Sequence, residues 1–237
     1  MKRWIGIVLI VIGVAILGKF AYDQWYATPK ALKQVEDQLK QIDAEQMKEN
    51  KARLEEDDDL FDFSDARYLK IEEVHGEIDE SRVIGAIAIP SVDLHLPIFI
   101  GSTHENMLQG AGTMKKGQEM GEGNYTLAGH NAFNPTILFA PIRNIEPGDT
   151  MYITDKEYIY TYEMTSNEVV MPERLDVIDD IPGKRTMTLV SCYSSDGSDR
   201  IIVYGDYVEK VPFKEADKEV ISLFVDAKEK EEKTENK

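Results

Sequence analysis

Short apolar runs separated by glycine, proline and polar turns dominate the chain from residue 82 onward. They are rich in Val, Ile, Thr and Tyr and too short for helices, which is typical of β-strands. Pro147-Gly148-Asp149 is one of the turn signals between them. Many short strands punctuated in this way predict an all-β domain, a closed barrel or a sandwich of about seven or eight strands. The runs are 83–90, 94–100, 124–129, 150–155, 158–164, 186–192 and 201–207.

The first 26 residues have a different character. Trp4 to Gly18 is an uninterrupted apolar run, which resumes after Lys19. At ~1.5 Å per residue it is long enough to cross a bilayer if the Lys19 ammonium reaches the interface. A cleaved signal peptide is the alternative, but small residues suited to a cleavage site are scarce. We predict a single-pass signal anchor over residues 1–26, with Lys2 and Arg3 in the cytoplasm and the remaining chain outside the cell.

The segment between the anchor and the strands is acidic. The chain has a net charge of −17, and residues 36–80 carry 17 acidic side chains against 6 basic ones. This argues against a nucleic-acid partner, which requires a basic face. Apolar residues at helical spacing predict a helix over residues 30–56. We interpret residues 27–81 as an acidic helical stalk, a solvated spacer, with an acidic docking site as the alternative. The helical stripe is Leu32, Val35, Leu39 and Ile42.

Two further segments flank the β domain. Asp57–Asp65 is acidic but contains Leu60, Phe61 and Phe63. We predict a disordered linker here; the alternatives are that the apolar groups dock on the domain, or that the segment up to Tyr68 forms a regulatory lid. Residues 213–237 form a charged tail, and short helices could form at 135–144 and 220–225.

Cys192 is the only cysteine in the sequence. It cannot form an internal disulfide, and in an exported protein such a residue is a candidate reactive thiol. The alternative is a buried, inert cysteine that packs as a small apolar side chain. A thiol requires a base or a positive environment to become a nucleophile near neutral pH.

His130 is the best placed of the four histidines to serve as that base. It follows the run 124–129, and two strands ending side by side would bring it to Cys192. Arg200 starts the strand after Cys192, and the polar loop between them would return its guanidinium to the thiol, where it could stabilise negative charge on a carbonyl oxygen. An ion pair with a loop aspartate is the alternative for Arg200. The other histidines lie in the acidic segment, in a strand pattern, and at a polar helix or loop start: His75, His95 and His104.

Three motifs, Ala-Gly-His at 128–130, Thr-Leu-Val-Ser-Cys at 188–192 and Arg200, together resemble the signature of the sortases. The surrounding LPIFIGSTHENMLQGAGTM, MGEGNYTLAGH and RIIVYGD are similar to class A, the housekeeping type of Gram-positive bacteria, and the likeness covers residues 82–212. It implies a catalytic, closed eight-stranded barrel and a membrane-anchored cysteine transpeptidase. It also implies that Cys192 is the nucleophile, His130 the general acid and base, and Arg200 the support for substrate and oxyanion.

The resemblance further implies a substrate. Class A sortases cleave an LPXTG-type sorting signal of an exported protein between Thr and Gly and join the Thr to an amine of the lipid-linked peptidoglycan precursor. The Leu-Pro part needs an apolar groove, and Ser191 either hydrogen-bonds the substrate or thiol or faces solvent. A sortase of another class, or a non-catalytic surface-anchored binding module, is the alternative. By motif position the groove residues are Ser191, Ala111, Gly112, Val169, Val170, Met171, Pro172 and Ile202.

Some class A members hold calcium in the loop before the histidine-bearing strand. Here that loop places Lys115 and Lys116 beside Glu119 and Glu122. Two carboxylates next to two ammonium groups are a poor site for a cation that prefers several oxygen ligands. We predict that the protein needs no metal or other cofactor and is independent of calcium.

Overall fold

The computed structural model describes residues 2–61, 77–132 and 134–225. Within these ranges, eight strands form a closed barrel in the order β1-β2-β3-β4-β7-β8-β6-β5. The predicted eight-stranded barrel is therefore confirmed, and the sandwich is excluded. The strands are β1 (Val83–Ile89), β2 (Leu94–Phe99), β3 (Ala111–Thr113), β4 (Asn124–Ala128), β5 (Thr150–Thr154), β6 (Tyr158–Val170), β7 (Thr186–Cys192) and β8 (Arg200–Pro212).

The barrel mixes parallel and antiparallel strand pairs. β2 pairs with β3, and β4 with β7, in parallel, whereas the other neighbours are antiparallel. The β4–β7 pair places Ala128 opposite Val190, so both strands end at the same rim of the barrel. That rim receives His130, just after β4, and Cys192, the last residue of β7.

Three strands differ from the sequence prediction: β3 was not predicted, and β6 and β8 are longer than expected. β3 has only three residues, one of them Gly112, and gave no readable alternation. β6 and β8 each run for 13 residues, beyond the apolar cores from which they were predicted. The added residues of each strand pair with the other strand: Tyr158 to Thr161 lie opposite Glu209 to Pro212, and Ser166 to Val170 lie opposite Arg200 to Tyr204. Backbone pairing between neighbouring strands continues there although most side chains of that part of β6 are exposed.

The segment before the barrel is helical, as predicted, but broken. α1 (Lys2–Tyr22) passes through a π-helical turn, Asp23–Ala27, into α2 (Thr28–Gln41). α3 (Ala44–Leu54) starts anew because the Asp43 carboxylate accepts a hydrogen bond from the backbone N–H of Gln46 at 2.9 Å. Such N-caps fix helix starts. One predicted helix over residues 30–56 is therefore two.

α2 and α3 pack on the barrel instead of projecting from it. The contact surface includes Val35, Leu39 and Ile42 of the predicted apolar stripe, which are at most 4% exposed. The interpretation as a solvated spacer is therefore wrong for α2 and α3, whose acidic side chains are exposed or half-buried while the apolar residues between them are covered. The contact cluster contains Val35, Leu39, Ile42 and Met47 together with Val83, Ala86, Ala88 and Phe99 of β1 and β2.

Polar contacts reinforce the docking. The Asn50 side chain is buried and donates hydrogen bonds to the carbonyls of Glu80, at 2.8 Å, and Val83, at 2.9 Å. From the β5–β6 turn, the Lys156 ammonium donates to the carbonyls of Leu39 and Ile42 at the end of α2, at 3.1 and 2.5 Å. A cation is favourable at a helix C-terminus, where carbonyl groups lack helical partners.

The start of the acidic linker also docks. Leu60 is 6% exposed in the barrel core cluster, with Phe61 packed against it. The backbone N–H of Ser102 donates to the Leu60 carbonyl at 2.8 Å. The prediction of disorder is wrong for Asp58–Phe61, which forms a 3₁₀ helix. Phe63 and the remainder of the hypothetical lid lie outside the described residues.

Short helices complete the fold. Those expected near 135–144 and 220–225 are present as a 3₁₀ helix, Ala140–Asn144, and as α5 (Lys218–Ser222). Phe224, after α5, is 1% exposed and packs in the same cluster as α2 and α3. The remaining helices are α4 (His104–Met107) and the 3₁₀ helices Glu80–Arg82, Pro90–Val92, Leu175–Ile178 and Phe213–Glu215.

Candidate active site

One groove at the barrel rim brings His130, Cys192 and Arg200 together. The backbone N–H of Gly129 donates to the Val190 carbonyl at 3.1 Å, which extends the β4–β7 ladder to the residue before His130. Cys192 ends β7 and is paired with Arg200, the first residue of β8. β7 therefore brings the three side chains together. It supplies Cys192 itself, its parallel neighbour β4 leads to His130, and its antiparallel neighbour β8 begins with Arg200.

The groove has a volume of about 260 Å³ and a mainly apolar wall. Besides Cys192, its polar side chains are those of His130, Ser191, Arg200 and a second arginine, Arg174, on the connection between β6 and β7. An extended peptide with apolar side chains fits such a surface. The apolar lining is Met107, Met114, Ala128, Val170, Met171, Pro172, Leu175, Val177, Ile178, Val190 and Ile202.

The thiol and the imidazole are both buried. Cys192 is 3% exposed and His130 1% exposed. Burial raises the pKa of the Cys192 thiol above its ordinary value, the Arg200 charge opposes the rise, and Asp199 adds to it. Burial dominates because the charged thiolate loses its hydration. The protonated thiol is therefore the resting form near neutral pH, and Arg200 is a group that favours the thiolate.

The loop from Cys192 to Arg200 fixes the guanidinium. Arg200 Nη1 donates to the carbonyls of Gly197 and Asp199 at 2.9 and 2.8 Å. The Asp199 carboxylate accepts from the backbone N–H of Ser194 at 2.7 Å and from its hydroxyl at 2.9 Å. Among the described residues, Arg200 forms no ion pair with either loop aspartate. The Arg200 guanidinium is thus held by carbonyl oxygens, which carry no net charge and do not neutralise it.

A family model and curated relatives agree with this geometry. The sortase domain model matches residues 87–208. The chain is 40% identical over 172 residues to sortase A of Streptococcus agalactiae, which covers 69% of this chain and 70% of the relative. It is 37% identical over 206 residues to sortase A of Bacillus anthracis, covering 86% of this chain and 93% of the relative. The chain belongs to the sortase family, class A.

Solved structures show the same architecture. The sortase A structure of Listeria monocytogenes is 35% identical, with a TM-score of 0.56, over 60% of this chain and 97% of that structure. A Clostridium perfringens sortase D5 is 26% identical, with a TM-score of 0.54, over 74% and 99%. Membership of class A makes this chain a cysteine transpeptidase, and Cys192 is the only cysteine it has. The non-catalytic binding module is thereby excluded.

The predicted groove residues of this sortase divide into two groups. Val170, Met171, Pro172, Ser191 and Ile202 line the groove. The other three do not belong to its described lining. They are Ala111, in the barrel core, Gly112, whose missing side chain leaves room for the backbone of Gly101 and Ser102, and Val169, 49% exposed on β6.

Ser191 does not face solvent, which was one of the two alternatives from sequence. It is 3% exposed, and its hydroxyl donates to the Gly129 carbonyl at 2.8 Å. It thus ties β7, one residue before the thiol, to the strand end that carries His130. A buried hydrogen bond of this kind contributes ~1 kcal/mol and holds the two chains in register.

Several further residues contribute to the site without a recognisable periodic signal in the sequence. The Asn131 amide donates to the Cys192 carbonyl at 2.7 Å, a second link between the two strand ends. His104 Nδ1 lies 3.1 Å from His130 Nε2. Met107, Met114, Leu175 and Val177 reach the groove from a short helix or from loops. No strand or helix periodicity marks such positions, so only the family motif around them offered a signal.

Gly129 permits close packing behind His130. A Cβ atom at this position would lie 2.5 Å from Cγ of Phe139, well inside contact distance. We expect Gly129→Ala to lower the free energy of unfolding by ~1–3 kcal/mol, the usual cost of overpacking, and to slow turnover by displacing His130. Urea denaturation measures the first effect and steady-state kinetics the second. In a double-mutant cycle, Phe139→Leu should recover part of the loss; strictly additive effects would contradict this packing argument.

Proposed function

We propose that this cysteine transpeptidase cleaves an LPXTG-type sorting signal between Thr and Gly and transfers the acyl group to an amine of the peptidoglycan precursor. Exported proteins with that signal thereby become anchored to the cell wall. The observation that carries the proposal is the groove, where an apolar wall leads to Cys192, His130 and Arg200. The wall suits the Leu-Pro part of the signal, and the polar end suits the scissile bond.

In the first half-reaction, the Cys192 thiol gives its proton to His130, and Sγ attacks the carbonyl carbon of the substrate Thr as a thiolate. The carbonyl electron pair moves to oxygen, and the Arg200 guanidinium stabilises the resulting negative charge. When the tetrahedral adduct collapses, the C–N bond breaks and the His130 imidazolium gives its proton to the departing Gly amine. A thioester on Cys192 and a neutral His130 remain.

In the second half-reaction, neutral His130 takes a proton from the incoming amine as that amine attacks the thioester. Collapse of the second adduct leaves an amide bond to Thr and expels the Cys192 thiolate, which recovers a proton from His130. Water competes for the same thioester. Both reacting side chains are at most 3% exposed, so access is restricted to a nucleophile that the groove can position.

We propose that the N-terminal helix is a single-pass anchor with its first residues in the cytoplasm and the barrel outside. Trp4–Ala27 is long and apolar enough to span a bilayer, and none of its best window is buried against the rest of the protein. Val35 of α2 already packs on the barrel. At ~1.5 Å per helical residue, that leaves about 12 Å between span and barrel. The barrel would therefore work close to the membrane that holds a lipid-linked acceptor.

We propose further that the enzyme needs no calcium. Lys115 Nζ forms an ion pair with Asp180 Oδ1 at 2.5 Å, joining the loop before β4 to the connection before β7. The same Asp180 oxygen accepts from the Asn124 backbone N–H at 2.9 Å, and these contacts lower the pKa of Asp180. Among the described residues no group of three or more His, Cys, Asp or Glu is placed to hold a metal ion. The ammonium supplies the positive charge that a bridging cation would bring.

We expect calcium and chelators to leave the initial rate of transfer within about twofold. Lys115→Met should raise KM severalfold, at most about fivefold, because an exposed ion pair contributes ~1 kcal/mol or less. Lys116→Met is the matched control, since Lys116 pairs with Glu56 and Asp58 on the other side of the loop. A large gain in rate on adding calcium to the unmodified enzyme would refute calcium independence.

The proposed function is tested by incubating the enzyme with an LPXTG-type peptide and a glycine or alanine amine as acceptor. Transfer product, detected by mass spectrometry, supports it. Hydrolysis without transfer would make the enzyme a protease on the same scaffold. Processing only of a peptide with a different motif would indicate the specificity of another sortase class.

A further inference from the structure

The second histidine beside the reacting groups, His104, has no role in the mechanism given above. Its Nδ1 lies 3.1 Å from Nε2 of His130, and the two rings meet nearly edge to face at 70° with centroids 5.2 Å apart. This separation is that of a hydrogen bond between two imidazole nitrogens. One proton must therefore lie between the rings.

The backbone around His104 is firmly held. His104 is the first residue of α4, and the Thr103 hydroxyl caps that helix by accepting from the Asn106 N–H at 3.3 Å. Asn106 is 2% exposed, and its amide donates to the carbonyls of Ile100 at 2.8 Å and Gly101 at 3.0 Å. Met107, one helical turn after His104, lines the groove. α4 thus presents two side chains to the site from a fixed base.

The chemistry of the reaction decides which ring donates. When His130 is an imidazolium, both of its nitrogens carry protons, so its Nε2–H must donate and His104 Nδ1 must accept. Two imidazolium rings at this distance would repel each other, so His104 is neutral whenever His130 is charged. When His130 is neutral, the same bond persists if its remaining proton stays on Nε2. Nδ1 of His130 is then the nitrogen that exchanges a proton with the substrate.

We propose that His104 is a positioning residue that fixes the ring orientation and the protonated nitrogen of His130. The inference rests on the proposed acid–base role of His130. Which ring nitrogen of a histidine carries the proton is set by the partner of the other nitrogen, and hydrolases with a catalytic base commonly orient that base with a third group. His104 supplies that third group, and because it accepts from the imidazolium it also stabilises the charged form that protonates the leaving amine.

The kinetic test compares two substitutions at one position. Asn can place an amide oxygen near the site of the imidazole Nδ1, whereas Leu fills the space without an acceptor. We expect His104→Leu to lower kcat for peptide transfer by about 10- to 100-fold, the cost of a misplaced catalytic group, with little change in KM. His104→Asn should stay within about threefold of the unmodified enzyme. His95→Asn on β2 is the control for a histidine outside the described groove lining.

A spectroscopic test does not depend on activity. In the full-length enzyme labelled with ¹⁵N-histidine, at alkaline pH, His130 should be the Nε2–H tautomer, and His104→Leu should convert it to a mixture of tautomers. An Nδ1–H tautomer of His130 in the unmodified enzyme, or full activity and an unchanged spectrum in His104→Leu, would overturn the positioning role. If His130→Asn itself retained transfer, the proposed function of His130 would fail, whatever the tautomer shows.

Discussion

Cys192→Ala is expected to reduce peptide transfer to the uncatalysed background, a loss of at least about 10⁴-fold, because no other group can form the covalent intermediate. The chain has no second cysteine to substitute for it. Initial rates with an LPXTG-type peptide and an amine acceptor measure the loss. The variant should fold normally, since Ala differs from Cys at this buried position only by the sulfur atom.

The control for Cys192→Ala is therefore its thermal unfolding midpoint, which should stay close to that of the unmodified enzyme. Peptide binding should also persist, because the apolar wall of the groove is untouched. A variant that is folded, binds peptide and still forms transfer product would place the nucleophile elsewhere and remove the basis of the mechanism.

Arg200→Met is expected to lower kcat by about 10²- to 10³-fold, the usual cost of losing one group that stabilises an oxyanion. Arg200→Lys should fall between Met and Arg, because an ammonium keeps the charge but lacks the planar fork. Arg200 is also the group that lowers the pKa of Cys192, against the larger effect of burial. Without Arg200 the pKa of the thiol should rise further, so a higher pH should be needed to reach the same rate of Cys192 alkylation.

Iodoacetamide labelling between pH 6 and 10 follows that shift directly. Arg185→Met is the matched control, because Arg185 stacks on the Tyr207 ring, with 3.7 Å between its guanidinium carbon and the ring centre. If Arg200→Met raised KM but left kcat and the alkylation profile unchanged, Arg200 would be a binding group only.

Much of the barrel was predictable because its strands carry their own pattern. β1 and β7 are buried along their whole length and read as continuous apolar or β-branched runs. β3 was not predictable, since three residues cannot display a period. The docking of α2 and α3 was also missed, because an apolar stripe states that a helix face is buried but not what covers it.

The three principal site residues could be predicted because strand ends place them. Parallel pairing of β4 with β7 and antiparallel pairing of β7 with β8 convert sequence motifs into neighbours. His104 and Met107 reach the site through a short helix whose position depends on the buried Asn106 and its hydrogen bonds, which no pattern reveals.

The loop aspartates illustrate a further limit of sequence reasoning. From sequence they could pair with Arg200, shape the loop or steer the incoming amine. The structure shows Asp199 bonded to Ser194, and Asp196 accepting from the backbone N–H of Ser198 at 3.0 Å. Both are turn contacts, and they leave the guanidinium bonded to carbonyls. These contacts shape the loop that returns Arg200 to the thiol.

Intact-protein mass spectrometry of the enzyme mixed with an LPXTG-type peptide, without an amine acceptor, would detect the thioester on Cys192. The expected result is an added mass equal to the peptide fragment ending at Thr. Fragmentation should locate this mass on Cys192, it should be absent in Cys192→Ala, and a glycine amine should discharge it. Transfer product formed without any adduct on Cys192, or an adduct on another residue, would contradict the role of Cys192 as the nucleophile.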